Sequence, residues 1–195
     1  MTLFPAFLKL AGRRVVVVGG GGVAASKIRA LLDAGADVTV VAPEIAPGIL
    51  QAAVACVRRP FEARDLDGAW LVVAAAPPAV NRQVSEAAGE RRLFVNAVDD
   101  PPNASLYLGG VVRRSGLTVA ISTDGRAPAL AGLLRQALDA LLPAEQVERW
   151  LAEADRLRSE WRRTGVPLPE RRPQLLDALV RLHDSRPRPA GGSRA

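Results

Sequence analysis

An α/β fold built on a parallel sheet is predicted for this 195-residue chain by three observations. Arg13 to Lys27 runs from an all-valine stretch through four glycines into small residues suited to a helix start. A second β-branched stretch, Val38 to Ala42, follows within about thirty residues, the size of a βαβ unit. Two further apolar runs, Trp70 to Ala76 and Leu93 to Val98, are separated by a short helical stretch, Asn81 to Ala88.

The valine run fits a strand buried on both faces, which has no polar side to alternate with. Glycines directly after it let the backbone turn tightly and lie against a ligand with no Cβ in the way. The helix that follows aims unpaired N–H groups and the positive end of its dipole at any anion placed there. As a fingerprint the stretch reads Gly19-x-Gly21-x-x-Ala24, with Gly20, Gly22 and Val23 between, and Ala24 where a small residue allows close helix–strand packing. Leu31 and Leu32 continue the apolar helix face to the stop signal Ala34-Gly35-Ala36. Strand, glycine turn, helix and strand in this order predict a Rossmann-like dinucleotide site. The acidic residue that usually closes the second strand and holds ribose hydroxyls is replaced by Ala42 and Pro43, with Glu44 next. The ribose contact therefore falls to Glu44 or to backbone groups, or is absent. No arginine follows the strand to receive a 2′-phosphate, which favours NAD over NADP.

Ligands of open parallel sheets gather at the carboxyl ends of the strands. Those ends fall at Gly19, Ala42, Ala76 and Val98, and Asp99 stands at the lip of the crevice they would line. A carboxylate there can accept a proton or orient a substrate, or it can simply cap a turn before Pro101-Pro102.

Beyond Asp100 the pattern changes. Val111 to Ile121 reads as two strands around a Ser115-Gly116 turn, a hairpin that is marginal in water without a partner. Pro128 to Leu142 is an amphipathic helix with Leu130, Leu133, Leu134, Leu138 and Leu141 at helical spacing. Ala144 to Arg163 forms a second, carrying Val147, Trp150, Leu151, Ala154, Leu157 and Trp161 on one face. Pro167 to Pro173 reads as a linker, Gln174 to His183 as a final helix, and the Arg- and Pro-rich residues 185–195 as a disordered tail.

About half the residues are hydrophobic, enough for one good core and a smaller appendage. No apolar stretch approaches bilayer length, and Met1 to Leu10 lack a basic start and a small-residue cleavage pattern, so a cytoplasmic protein without membrane association is expected. Cys56 is the only cysteine and is read as a packing residue in a reducing compartment. His183 is the only histidine and is read as a surface or capping residue, and no metal site is expected. The net charge is +6, with 12 Lys/Arg against 10 Asp/Glu over residues 1–113 and 14 against 10 over 114–195. Such a balance invites an acidic partner, yet no basic stripe interleaved with aromatics and no nucleic-acid-binding signature is present. The excess is almost all arginine, whose fork pairs with carboxylates through two hydrogen bonds and so suits a small polycarboxylate.

The ordered set of motifs resembles the precorrin-2 dehydrogenase and sirohydrochlorin ferrochelatase family, including the amino-terminal module of bacterial siroheme synthases. The resemblance rests on Phe4-Pro5, Val18 to Ala24 with Lys27, Ala34-Gly35-Ala36, Val38-Thr39-Val40, Asn96-x-Val98-Asp99, and Ala120-Ile121-Ser122-Thr123-x-Gly125-x-x-Pro128-x-Leu130-Ala131. It implies oxidation of precorrin-2 to sirohydrochlorin with NAD as acceptor, and in some members a following insertion of ferrous iron to give siroheme. It places the family's key aspartate on Asp99 and cofactor contacts on Gly19 to Ala24, Pro43, Glu44, Ala76, Asn96 and Val98. Substrate contacts fall on Ser122, Thr123 and Arg126, and the hairpin region becomes a homodimer contact. The chain is thereby read as an NAD-binding domain over 1–113, a dimerisation segment over 114–143, and a small helical domain over 144–184 that closes the tetrapyrrole cleft.

Some positions depart from the family pattern. A cysteine-serine-phenylalanine cluster and a proline-alanine pair are replaced by Asn103-Ala104-Ser105-Leu106-Tyr107 and Gly109-Gly110. Ala127 stands for a serine, and Ala76 for a hydroxyl or acidic group; both bear on iron insertion rather than on dehydrogenation. No methyltransferase module is present in the 195 residues, so uroporphyrinogen methylation is expected of a separate protein. A NAD- and tetrapyrrole-binding sensor without catalysis is the alternative, against which the retained Asp99 argues. Another Rossmann oxidoreductase has no support, because Tyr107 is the only tyrosine and no lysine follows it four residues later.

Overall fold

The computed structural model describes residues 3–184, and they form two compact units. The first runs through Leu108 and includes Asp124–Arg126; the second comprises Gly109–Thr123 and the chain from Ala127 onward. The expected tail at 185–195 lies outside the described residues.

In the first unit, strands β1 (Arg14–Val18), β2 (Asp37–Val41), β3 (Ala55–Val57), β4 (Leu71–Ala74) and β5 (Phe94–Ala97) form a parallel sheet ordered β3-β2-β1-β4-β5. Chain order reverses beside β1, so the switch point lies between β1 and β4. Helices α1 (Gly22–Asp33), α2 (Pro47–Leu50) and α3 (Pro78–Glu90) connect the strands, with 3₁₀ turns at Ala63–Leu66 and Pro101–Asn103. Alternate strand residues feed two cores. Val15, Val17, Val38, Val40, Leu71 and Val73 pack with Ala24, Ile28 and Leu31 of α1. Val16, Val18, Val72, Ala74, Val95 and Ala97 pack with Val84, Ala87 and Ala88 of α3. Both faces are covered, which is why the valine run carries no polar alternation.

The structure corrects several expectations here. Strand β3 was not anticipated, because its three residues give no usable pattern and it forms only by pairing Ala55, Cys56 and Val57 with Thr39, Val40 and Val41. Cys56 is exposed on this edge strand rather than packed. Helix α3 starts at Pro78, three residues before the expected Asn81, since proline at a first helical position gives up an N–H that has no intrahelical partner anyway.

In the second unit β6 (Gly110–Arg114) and β7 (Leu117–Ile121) form the antiparallel hairpin, turning at Ser115 (φ 43°) and Gly116 (φ 97°). Both turn residues are left-handed, which matches the twist of paired strands. The expected boundary at 113/114 cuts β6, whereas the whole strand belongs to this unit because its partner is β7. Gly109 is required by the same pairing, since a Cβ there would lie 2.0 Å from the Ile121 carbonyl oxygen. Three helices follow, α4 (Pro128–Leu141), α5 (Ala144–Thr164) and α6 (Leu168–Asp184). Val112 and Ala131 are buried where α4 meets β6, and Arg114 pairs with Asp139 of α4 at 2.6 Å.

The stretch read as a linker, Pro167 to Pro173, is helical from Leu168, with Pro173 inside the helix. A proline there removes one backbone donor and normally breaks the helix. Packing offsets that loss: Leu157, Trp161 and Ala178 form a small core, and the Trp161 indole N–H donates to Gln174 Oε1 at 2.7 Å, one residue past the proline.

Candidate functional site

The four glycines after β1 have different tasks. Gly19 has φ 126° and lies against the end of β4, where a Cβ would stand 2.2 Å from the Ala75 carbonyl oxygen. Gly20 lies against the segment after β2; a Cβ there would meet the Glu44 carbonyl oxygen at 2.0 Å, and its own carbonyl accepts the Ala46 N–H at 2.8 Å. These two glycines are demanded by the protein itself. A Cβ on Gly21 or Gly22 would meet no protein atom within 4 Å, so the space above them is open.

That space faces the start of α1. Gly21 is the helix cap, no side chain caps the helix, and its first turn holds no acidic residue. The first N–H groups of a helix have no intrahelical partner, so those of Gly22, Val23 and Ala24 remain available to an anion. Val23 is exposed, whereas the Ala24 side chain is fully buried against the sheet and serves packing. An uncapped helix start, open space and no competing carboxylate fit a dinucleotide pyrophosphate.

Pro43 and Glu44 are exposed just past β2, on the segment that folds back over Gly20. At the end of β4 the Ala76 N–H donates to Asn81 Oδ1 at 3.0 Å, and Asn81 is buried on α3. Asn81 was seen in the sequence only as a helix start. Its hydrogen bond holds the loop after β4 beside the crevice, and only an asparagine soon after a Pro-Pro pair hinted at it.

At the end of β5 the Val98 N–H donates to the Ala74 carbonyl at 2.9 Å, and the next residue, Asp99, is exposed and left-handed at φ 55°. Among the described residues no hydrogen bond or ion pair engages the Asp99 carboxylate. Asp100 differs, because its carboxylate accepts from Asn103 Nδ2 at 2.8 Å. Asn96 is buried on the α1 face of the sheet, where its Nδ2 donates to the Leu106 carbonyl at 2.9 Å and holds the following segment along β5. Its Oδ1 is buried with no partner among the described residues.

Gly19 to Ala24, Pro43, Glu44, Ala76, Asn96, Val98 and Asp99 thus all belong to the strand ends of the first unit. Arg126 is exposed in that unit too, while Ser122 and Thr123 fall in the second. Thr123 Oγ1 accepts the Ala127 N–H at 3.2 Å at the start of α4, after two left-handed residues, Asp124 and Gly125.

Paired charges of the first unit brace the segments that connect its strands. Arg14 donates to the carbonyls of Asp65 and Asp67, Arg91 pairs with Asp67 at 2.9 Å, and the Arg13 guanidinium lies 3.8 Å over Trp70. Arg59 clasps the Asp65 carboxylate through bonds of 2.5 and 2.8 Å, and this holds the Asp65 carboxyl below its ordinary value despite partial burial. Among the described residues no group of three His, Cys, Asp or Glu side chains is placed to hold a metal ion, and no helix is long and apolar enough to cross a membrane.

Comparison with known proteins matches residues 6–110 to a family described as putative NAD(P)-binding and residues 114–141 to the central segment of sirohaem biosynthesis proteins. Siroheme synthase 3 of Aeromonas hydrophila is 46% identical over 148 residues, covering 73% of this chain and 32% of that protein. Siroheme synthase of Salmonella typhi is 41% identical over 179 residues, covering 88% and 38%. The chain therefore spans about a third of the length of these relatives. A solved precorrin-2 dehydrogenase, SirC, superposes with a TM-score of 0.69 at 26% identity, covering 90% of this chain and 88% of that one.

Proposed function

This chain belongs to the precorrin-2 dehydrogenase family of siroheme biosynthesis, and from that premise we propose that it oxidises precorrin-2 to sirohydrochlorin with NAD. The observation that carries the reading is the open space over Gly21 and Gly22, beside the uncapped start of α1 and on the same sheet edge as Asp99.

When bound, NAD supplies the hydride acceptor. The N–H groups of Gly22, Val23 and Ala24 hold its pyrophosphate, and Glu44 with the backbone at Pro43 takes the ribose hydroxyls. Glu44, with no arginine beside it, disfavours a 2′-phosphate and so NADP. Ala76, Asn96 and Val98 would border the nicotinamide end of NAD. Loss of a hydride from the macrocycle must be matched by loss of a proton, and Asp99 accepts that proton at its carboxylate. Ser122, Thr123 and Arg126, with other arginines of this basic chain, bind the substrate's peripheral carboxylates by paired hydrogen bonds. The first unit, through Leu108, serves the cofactor, the hairpin and α4 from Gly109 to Leu141 serve dimerisation, and 144–184 the substrate, in the reducing cytoplasm that a single cysteine suits.

The test is anaerobic incubation with precorrin-2 and NAD, followed by absorbance. Appearance of sirohydrochlorin with stoichiometric NADH is expected, with NADP slower. Binding of both ligands without turnover would instead mark a sensor module. Ferrous or cobaltous ion added afterwards reports whether the same protein inserts metal.

A further inference from the structure

We infer that Asn103, tied to helix α3 through Ser85, is a positioning residue that fixes Asp99 at the strand end; this rests on the reading of Asp99 as proton acceptor. Asp99 is one left-handed residue between two anchors. On one side the Val98 N–H is bound to Ala74 of β4 at 2.9 Å. On the other, Asp100 is held twice by Asn103, its carboxylate accepting from Nδ2 at 2.8 Å and its carbonyl from the Asn103 N–H at 3.1 Å. The Asn103 carbonyl in turn accepts from Ser85 Oγ at 2.9 Å, which links this strap to α3.

Packing is incomplete here. A groove of about 220 Å³ is bordered by Ser85, Gly89, Leu93, Val95, Pro102 and Asn103, so the Ser85–Asn103 bond lies at its wall. Further along the strap is secured separately, by Val95 N–H on Ser105 Oγ and by Asn96 on the Leu106 carbonyl. Aspartate enters the left-handed region readily, but one fixed direction there requires that its neighbours be held. Here the Ser85–Asn103–Asp100 chain supplies that constraint, and it acts on the direction of the Asp99 carboxylate.

The test is a cycle of Asn103→Ala and Asp99→Asn, read as kcat, KM and NAD affinity on the full chain. Asn103→Ala should lower kcat roughly ten- to a hundred-fold, the scale of a misplaced catalytic group, with NAD affinity unchanged. In the Asp99→Asn background it should add nothing, because the group it positions is gone. Reciprocal exchange, Asp100→Asn with Asn103→Asp, keeps one donor and one acceptor and should restore most of kcat. A folded Asn103→Ala protein with wild-type kcat overturns the inference and leaves the Asp99 reading intact, as does an equal loss in both backgrounds. Wild-type turnover by Asp99→Asn alone removes the premise itself. Should Asn103→Ala fail to fold, the exchanged pair decides, and a folded exchange variant with impaired kcat overturns the inference.

Discussion

The two units treat their apolar residues in opposite ways. In the first, each face of the sheet is covered by a helix from the same unit, and the core strands are almost completely buried. In the second, α4 buries only Ala131, while Leu133 is 63% and Leu141 72% exposed, beside Leu130 and Leu134. A two-stranded hairpin and a leucine face left open are a poor way to finish a monomer, whereas both are ordinary in a subunit surface. The first unit covers its own sheet; in the proposed homodimer a second copy would supply the cover that the second unit lacks.

Glycine substitutions should break the comparison most severely, and on the first unit alone. Gly21→Val adds bulk only to open space, so thermal stability should stay near wild type while NAD affinity falls at least a hundred-fold; scanning calorimetry reads the first and titration calorimetry the second. Gly20→Val drives a Cβ into the Glu44 carbonyl and should cost several kcal/mol in a denaturation experiment. If the two variants behaved alike, the division of the glycine turn into protein-facing and ligand-facing halves would be wrong.

The second unit is probed by Leu133→Glu combined with Leu141→Glu. Light scattering at micromolar concentration should report a dimer for the parent and a monomer for the double variant, with NAD binding retained. A parent that is monomeric would show that the leucine face needs no cover.

A smaller effect is expected at Asp65, away from the site. Its carboxyl is held below the ordinary value, foremost by Arg59, so its stabilisation is complete above the unfolded value of about 4 and fades as pH falls through the lower folded value. Asp65→Asn should therefore destabilise by about 1–3 kcal/mol at neutral pH and by progressively less in acid, as measured by urea unfolding. NAD affinity should not move.

The valine run and glycine turn made the first unit legible because burial on both faces and backbone close to a ligand each leave a compositional mark. Which glycine serves the fold and which the ligand was not legible; that depends on Glu44 and Ala75, distant in sequence and adjacent in space. Asn81, Ser85 and Asn103 escaped for the same reason, since a polar residue on a helix or turn looks solvent-facing until its partner is known. Pro173 misled because a local rule about helices was overridden by the packing of Trp161 and Ala178. Asp99 stood out by position at a strand end, while its left-handed backbone appeared only in the structure.

The most direct test is turnover of Asp99→Asn beside its NAD affinity. Asparagine tolerates the left-handed backbone and keeps the shape, removing only the proton acceptor. Oxidation of precorrin-2 should slow by roughly 10²–10⁴-fold while NAD binds as in the parent. Wild-type oxidation by this variant would contradict the account, reducing Asp99 to a turn residue and leaving catalysis to the positioning of cofactor and substrate alone.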